Sequence, residues 1–108
     1  MTRPNIKYTS LDELKALCNR INQITGSPLT SHTVRVRGDK AKRYEANIGN
    51  YHLEWSYGGV RLVRITSLGG GITAVTGLST RRDCYDQIHA FIQGLEARQL
   101  TVESEQSR

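Results

Sequence analysis

Short alternating segments separated by glycine-containing turns fill the middle of this sequence, and they constrain the fold more than any other feature. The clearest alternation places Tyr51, Leu53, Trp55 and Tyr57 on one face, which is the period of a half-buried β-strand. Connections this short join antiparallel neighbours, so the pattern predicts an antiparallel sheet. The predicted strands are residues 33–37, 44–48, 51–57, 60–66 and 72–76.

An amphipathic helix is predicted before these strands. Ser10 and Glu13 have the spacing of a capping box, and apolar residues then recur at three-and-four spacing as far as Ile24. Gly26 and Pro28 end the pattern, so the helix is predicted over residues 10–25.

A second amphipathic helix is predicted after the strands. It begins at Ser79 or Thr80, with Asp83 placed to complete a capping box. Its apolar stripe extends from Cys84 to Leu95, and the pattern fades from residue 98.

The order of these elements predicts an α+β fold. An N-terminal helix, an antiparallel sheet of three to five strands and a C-terminal helix follow one another, with both helices on one sheet face. The predicted domain spans residues 10–97, between polar tails at residues 1–9 and 98–108.

Gly58 and Gly59 leave the register of one hairpin open. A two-residue Gly58-Gly59 turn pairs Trp55 with Leu62, whereas a three-residue loop with a bulge pairs Trp55 with Arg61. The bulged register gives the cleaner apolar face and lays Arg61 over Trp55, so it is favoured. A slip of one residue moves every side chain to the other face.

The favoured register also predicts self-association. It leaves Val60 and Leu62 on the sheet face away from the helices, and exposed aliphatic residues there form an association surface. Because twofold dimers are the commonest closed assemblies, we expect a homodimer formed through the sheet.

Positive charge is concentrated in one short segment. The chain has 15 basic and 10 acidic residues, a net charge of +5, and residues 35–43 hold five basic residues against Asp39 alone, or +4. A local basic patch indicates an anionic partner. Arg35 and Arg37 alternate with valines and share one strand face, so we expect nucleic acid, DNA more than RNA, to bind here.

Other arginines extend this predicted site. Arg61 and Arg64 lie on the strand that follows the paired glycines. Arg81 and Arg82 lie in the first turn of the second helix, where they either hold a phosphate with free backbone N–H groups or form a solvated pair offset by nearby aspartates. The predicted nucleic-acid-binding residues are Arg35, Arg37, Lys40, Lys42, Arg43, Arg61, Arg64, Arg81 and Arg82.

Aromatic residues downstream of the basic segment have two interpretations. Exposed on a sheet, they would stack on bases, whereas in a half-buried strand they would belong to the core. Alternation favours the core for Trp55, and the basic segment has its own alternative as a solvated turn. The residues concerned are Tyr44, Tyr51, Trp55 and Tyr57.

No catalytic, metal or cofactor site is predicted. His32, His52 and His89 lack the spacing of metal ligands, and the glycine clusters lack the lysine of a phosphate-binding loop. Cys18 and Cys84 are predicted to be buried free thiols rather than a disulfide. A catalytic Cys84 with His89 is a minor alternative, since residues five positions apart lie on different faces of a helix.

Neither membrane insertion nor secretion is predicted. No apolar run approaches the length of a membrane span, and the first residues, Met1 to Asn5, lack the apolar stretch of a secretory signal. We therefore expect a cytoplasmic protein.

Turn and strand motifs between residues 48 and 85 resemble those of a family of small uncharacterised proteins of tailed bacteriophages and prophages. The resemblance covers about a third of the chain. It implies a phage accessory protein made in the cytoplasm of the bacterial host, and it implies no activity. The basic segment 35–43 lies outside it. The motifs are Gly49-Asn50-Tyr51-His52-Leu53, Tyr57-Gly58-Gly59-Val60, Leu62-Val63-Arg64, Gly69-Gly70-Gly71-Ile72 and Thr80-Arg81-Arg82-Asp83-Cys84-Tyr85.

Two functions follow from these patterns. The leading hypothesis is a non-catalytic phage accessory protein that binds nucleic acid through the basic segment. The alternative is a protein-binding inhibitor or adaptor that captures a host bacterial protein, since the open edge of an antiparallel sheet can extend the sheet of a partner.

Overall fold

The computed structural model describes residues 9–38 and 41–106 and confirms the α+β order, a helix, antiparallel strands and a second helix. The five strands form two sheets rather than one. A two-stranded ribbon contains β1 and β2, and a three-stranded main sheet has the order β3-β4-β5. The elements are α1 (Leu11–Thr25), β1 (His32–Arg37), β2 (Ala41–Ala46), β3 (Tyr51–Ser56), β4 (Gly59–Ile65), β5 (Ile72–Ala74) and α2 (Arg81–Gln106).

The ends of α1 are the predicted ones. The Ser10 hydroxyl accepts a hydrogen bond from the N–H of Glu13 at 3.2 Å. Gly26 ends the helix in the left-handed conformation, with φ of 68°, and the next N–H, that of Ser27, donates to the Asn22 carbonyl at 2.8 Å. Local hydrogen bonding therefore sets both ends of this helix.

The start of α2 is also the predicted one, but its end is not. The Thr80 hydroxyl accepts from the N–H of Asp83 at 3.2 Å. The helix continues to Gln106, well past the point where its apolar stripe fades. Its last turns consist mostly of strong helix formers, and the Thr101 hydroxyl donates to the Ala97 carbonyl at 3.0 Å. Helical propensity thus carries α2 beyond its packed portion.

Both helices pack on one face of the main sheet. α1 lies against β3 and α2, and α2 lies against β4. Apolar side chains from all these elements meet in one core, so both helices cover the same face of the sheet, as predicted. The buried members of this core are Leu14, Cys18, Ile21, Tyr51, Val60, Leu62, Cys84, Ile88 and Ile92.

Both predicted hairpin registers are wrong. The turn is Tyr57-Gly58, with positive φ at both residues, 49° and 75°. A two-residue turn of this kind matches the twist of the flanking strands. It pairs Trp55 with Val60, one residue from the bulged register and two residues from the Gly58-Gly59 register.

This register places Val60 and Leu62 under the helices, where both are fully buried. The side chains that alternate with them, Val63 and Ile65, are only 0% and 1% exposed on the opposite face. The predicted homodimer depended on Val60 and Leu62 being exposed on the face away from the helices. That prediction of an association surface is therefore wrong.

Gly59 allows a close approach rather than forming the turn. A Cβ at this position would lie 3.0 Å from Cγ of Leu78 and 3.1 Å from the carbonyl oxygen of Ser79. Val60 and Ser79 exchange two main-chain hydrogen bonds, at 2.9 and 3.0 Å. The absence of a side chain at Gly59 lets the segment before α2 close against β4.

A buried asparagine joins α1 to the outer edge of β3. Asn22 is 1% exposed; its Nδ2 donates to the Tyr51 carbonyl at 3.0 Å and its Oδ1 accepts from the Tyr51 N–H at 2.8 Å. One side chain thus satisfies both main-chain groups that a neighbouring strand would otherwise pair.

Among the described residues, no helix is both long enough and apolar enough to cross a membrane.

We expect Asn22→Ala to lower the free energy of unfolding by about 2–4 kcal/mol, because it leaves two buried main-chain groups of Tyr51 without partners. Urea denaturation measures the change. Asn19→Ala is the matched control: Asn19 lies exposed on the same helix, and its loss should cost no more than about 0.5 kcal/mol. Equal losses for the two variants would contradict the role given to Asn22.

Candidate nucleic-acid interface

The ribbon carries the centre of the basic segment on six-residue strands. Arg35 in β1 lies directly opposite Arg43 in β2, and Val34 lies opposite Tyr44. Since side chains alternate across a strand, the two arginines share one face and Val34 and Tyr44 share the other. The ribbon therefore has a basic face and an apolar face.

Asn47 fixes the base of the ribbon. Its N–H donates to the Ser31 carbonyl at 2.9 Å, and its Nδ2 donates to the Thr30 carbonyl at 2.9 Å. Its Oδ1 accepts from the hydroxyl of Thr33 at 3.0 Å. The described strands of the ribbon do not pair with those of the main sheet. The hydrogen bonds of Asn47 therefore fix the ribbon at its base.

Two like charges face each other on the basic face. Direct opposition of Arg35 and Arg43 is unfavourable, since their side chains lie within the reach of a cross-strand pair. Glu45 offsets part of this repulsion through an exposed ion pair, with 3.0 Å between its Oε2 and Nε of Arg35. Ion pairs this exposed contribute little to stability. The arrangement costs free energy in the unbound protein, and an anion placed between the arginines would recover it.

The other basic residues of the segment have defined positions with one exception. Arg37 ends β1 opposite Ala41, and Lys42 lies opposite Val36. Lys40 lies outside the described residues. The strand pairing thus brings four of the five predicted basic residues of this segment into one ribbon.

Arg61 belongs to a different face and has a structural partner. It lies opposite Glu54 in the β3–β4 ladder, and its Nε donates to Oε1 of Glu54 at 2.8 Å. Both side chains are about one-third exposed. The predicted placement of Arg61 over Trp55 is wrong, because the observed register separates them onto opposite faces.

Two other arginines cover aromatic rings. The guanidinium carbon of Arg81 lies 5.3 Å from the ring centre of Trp55, and that of Arg64 lies 5.2 Å from the ring centre of Tyr51. Distances of this size are those of cation–π contacts. These arginines extend over the aromatic edge of the main sheet rather than joining the ribbon.

Arg82 is solvated and offset by a nearby aspartate, which is the second of the two predicted alternatives for this arginine. Its Nε lies 3.5 Å from Oδ2 of Asp86, one helical turn later, and both side chains are more than half exposed. An exposed i,i+4 pair is an ordinary surface contact of a helix.

The aromatic residues divide between core and surface. Tyr51 is buried, whereas Trp55 is 46% exposed, so the prediction that Trp55 belongs to the core is wrong. Tyr44 and Tyr57 are 67% and 99% exposed, on the apolar face of the ribbon and at the tip of the β3–β4 hairpin. Only these last two have the exposure that stacking on a base requires.

Sequence patterns did not reveal the exposure of the apolar face of the ribbon. Val34 and Val36 alternate as core residues would, yet both are exposed, together with Tyr44. One signal in the sequence could have indicated this exposure. The strands are weakly apolar and carry many basic residues, and such strands fit a buried sheet poorly.

The two cysteines are free and buried, as predicted. Burial raises the pKa of the Cys18 thiol from its ordinary value of 9.0 to about 12, and the nearby Cys84 adds to this effect. Burial also raises the pKa of Cys84, although a hydrogen bond with Thr76 opposes the change. Both environments favour the thiol, whereas an activated nucleophile needs the thiolate.

The histidines do not converge. Burial lowers the pKa of His52, His32 lowers it further and Glu54 opposes the shift, while Nδ1 of His52 lies 3.1 Å from Oδ1 of Asn50. The exposed His89 instead packs against Tyr85, with 5.1 Å between ring centres. Within residues 9–38 and 41–106, no three side chains of the metal-binding types cluster.

Comparison with family models, curated proteins and solved structures found no match.

The raised pKa of Cys18 makes the stability of the folded protein depend on pH in the alkaline range. The folded pKa exceeds the unfolded one, so the stabilisation is complete below about pH 9 and is lost as pH rises toward 12. In that interval we expect the free energy of unfolding to fall by about 1.4 kcal/mol per pH unit through Cys18. Urea denaturation across this range measures the slope.

Cys18→Ala is the matched comparison for this slope. The variant loses stability at every pH, but its curve should be flatter by about 1.4 kcal/mol per pH unit above pH 9. Parallel curves for the two proteins would show that Cys18 does not retain its proton through burial.

Proposed function

We propose that this chain is a non-catalytic phage accessory protein that binds nucleic acid, DNA more than RNA, through the basic face of its ribbon. The observation that carries the proposal is the direct opposition of Arg35 and Arg43 on an exposed two-stranded ribbon. The resemblance in residues 48–85 supports the phage assignment and a place in the cytoplasm of the bacterial host.

The dimensions of the ribbon suit duplex DNA. Two paired strands lie about 4.8 Å apart, and six extended residues span about 20 Å. The major groove of B-form DNA is about 12 Å wide and admits a two-stranded ribbon. With its arginine face toward the DNA, the ribbon presents cations at the spacing of neighbouring strands to phosphates or base edges.

The electrostatic cost of the ribbon favours an anionic ligand. A phosphate between Arg35 and Arg43 would screen their repulsion and accept hydrogen bonds from both guanidinium groups. Glu45 would lose its ion pair with Arg35 in that complex, but an exposed ion pair contributes little to stability, so its loss costs little free energy.

The remaining predicted residues contribute unequally to the proposed interface. Arg37, Lys40 and Lys42 belong to the same segment and add to its positive charge. Arg61 forms an ion pair with Glu54, and Arg82 forms one with Asp86, so we assign these two arginines no contact with nucleic acid. We assign Arg64 and Arg81 at most a peripheral phosphate contact.

The double variant Arg35→Gln/Arg43→Gln tests this interface. Each lost phosphate contact should reduce the slope of log affinity against log salt concentration by about 0.9, so the pair should reduce it by about two. We also expect affinity for a labelled duplex of about 20 base pairs to fall at least about tenfold at low salt. Fluorescence anisotropy with duplex, single-stranded DNA and RNA measures both quantities.

A control with the same loss of charge separates the ribbon from net charge. Arg20→Gln/Arg98→Gln removes two exposed arginines from the two helices. This control should retain nearly the whole slope. An equal loss of slope in both double variants, or no binding of any nucleic acid by the unaltered protein at about 50 mM salt, would refute the proposal.

A second candidate function is capture of a host protein. The observation that favours it is the outer edge of β3, which pairs with no strand in the described part of the chain. Affinity capture from host lysate with nuclease treatment distinguishes the two candidates. Loss of every associated protein on nuclease treatment would contradict capture, whereas a stoichiometric protein that survives would support it.

A further inference from the structure

The hydrogen-bond register of the main sheet determines which main-chain groups of β3 face outward. The Ile65 N–H donates to the Asn50 carbonyl at 2.9 Å, so Asn50 and every second residue after it point toward β4. The residues between them, Tyr51, Leu53 and Trp55, point away from β4. Asn22 confirms this direction, because its amide meets both main-chain groups of Tyr51 from the outer side.

Leu53 and Trp55 thus present N–H and C=O groups at an open edge. Asn22 satisfies only the first of the three outward residues, and no described strand covers the other two. Their spacing of two residues is the repeat of an antiparallel ladder. The edge has the alternating donors and acceptors that a further strand would use.

A groove of about 490 Å³ accompanies this edge. α1 forms one wall and β3 forms the other, with Leu29 and Ser31 at one end. Leu29 and Trp55 are about half exposed in it, so it offers apolar surface beside the free main-chain groups. The apolar side chains that line the groove without being fully buried are Leu11, Leu29, Leu53 and Trp55.

The charge of the groove limits its occupant. Lys15 is exposed on the α1 wall and, among the described residues that line the groove, is the one with a full charge, since burial lowers the pKa of His52. A partner with a carboxylate at this position would be complementary to the groove. Nucleic acid fits less well, because phosphates accept hydrogen bonds but cannot donate to the outward carbonyl groups.

We propose that an extended peptide segment of a protein partner adds to β3 as a further strand, with main-chain hydrogen bonds to Leu53 and Trp55 and an acidic side chain paired with Lys15. Apolar side chains on one face of that segment pack between α1 and Trp55. Strand addition of this kind takes its affinity from the main chain and its specificity from alternate side chains. The site is separate from the ribbon and does not depend on nucleic-acid binding.

Trp55 supplies a direct readout, because it is the only tryptophan in the chain and lines the groove. The probe is a blocked heptapeptide in which valine alternates with aspartate. We expect a saturable change in tryptophan fluorescence with a dissociation constant below about 1 mM. The same peptide N-methylated at every central residue should bind at least about tenfold more weakly, because it cannot donate to β3.

Charge variants test the assigned carboxylate contact. Lys15→Glu should weaken binding of the peptide at least about threefold at low salt, whereas Arg98→Glu, which makes the same change of net charge on the exposed surface of α2, should leave binding unchanged. Leu53→Pro removes one outward N–H without breaking the ladder with β4, a position where an edge strand tolerates proline. It should weaken binding as N-methylation does.

Three results would overturn the proposal. These are no saturable change in fluorescence up to about 1 mM peptide, equal binding of the N-methylated peptide, or a fluorescence response to duplex DNA that the valine–aspartate peptide cannot reproduce. The last result would make the groove part of a nucleic-acid site. Arg35→Gln/Arg43→Gln should bind the peptide as the unaltered protein does, so failure at the groove and failure at the ribbon remain distinguishable.

Discussion

Pairing of β4 on both sides, with burial of both its faces, is the constraint on which the rest of the structure depends. β3 and β5 occupy its two edges, and the bridge to Ser79 extends the second edge to the start of α2. Val60 and Leu62 then join the core to which both helices contribute, while Val63 and Ile65 are buried on the other side. A slip of one residue would bring Arg61 beneath the helices in place of Val60 or Leu62, so burial of these two residues specifies the register.

That enclosure leaves charge and unpaired main chain to the periphery. The turn from residue 47 to residue 50 redirects the chain, with the Asn50 N–H donating to the Asn47 carbonyl at 3.1 Å. Gly49, at φ of 95°, donates to the Ile65 carbonyl and forms a bulge at the entry to β3. The bend separates the ribbon from the main sheet and leaves β3 as an edge strand. Both proposed binding surfaces therefore originate in this one turn.

Local signals in the sequence predicted the parts of the fold that local interactions determine. Ser10, Gly26 and Thr80 act at helix ends through hydrogen bonds to residues within four positions, so their patterns were sufficient. The hairpin register was not predictable in this way. It requires positive φ at Tyr57, which is uncommon for a tyrosine, and it places Gly59 against Leu78, a contact between residues distant in sequence.

The candidate site was predicted in part for the same reason. Alternation and the glycine turn predicted a strand that carries Arg35, but the next predicted strand began at residue 44, so the opposition of Arg35 and Arg43 was not predicted. The partner of Arg61 depends on the register of the hairpin. The role of Asn22 was not predictable, because its helical position suggests only a polar residue at the edge of an apolar stripe. Its contact with Tyr51 exists because α1 crosses the outer edge of β3.

The two surfaces differ in the physical origin of their affinity, and this difference determines how they can act together. The proposed binding at the ribbon would depend on charge and counterion release, so it would weaken steeply with salt. Strand addition at β3 depends mainly on main-chain hydrogen bonds and apolar burial, which salt screens little, while its single contact at Lys15 adds a small screened contribution. Because the surfaces lie on separate sheets, one ligand need not displace the other. Under the two proposals, the chain would hold a protein segment at one edge while its ribbon binds and releases a polyanion.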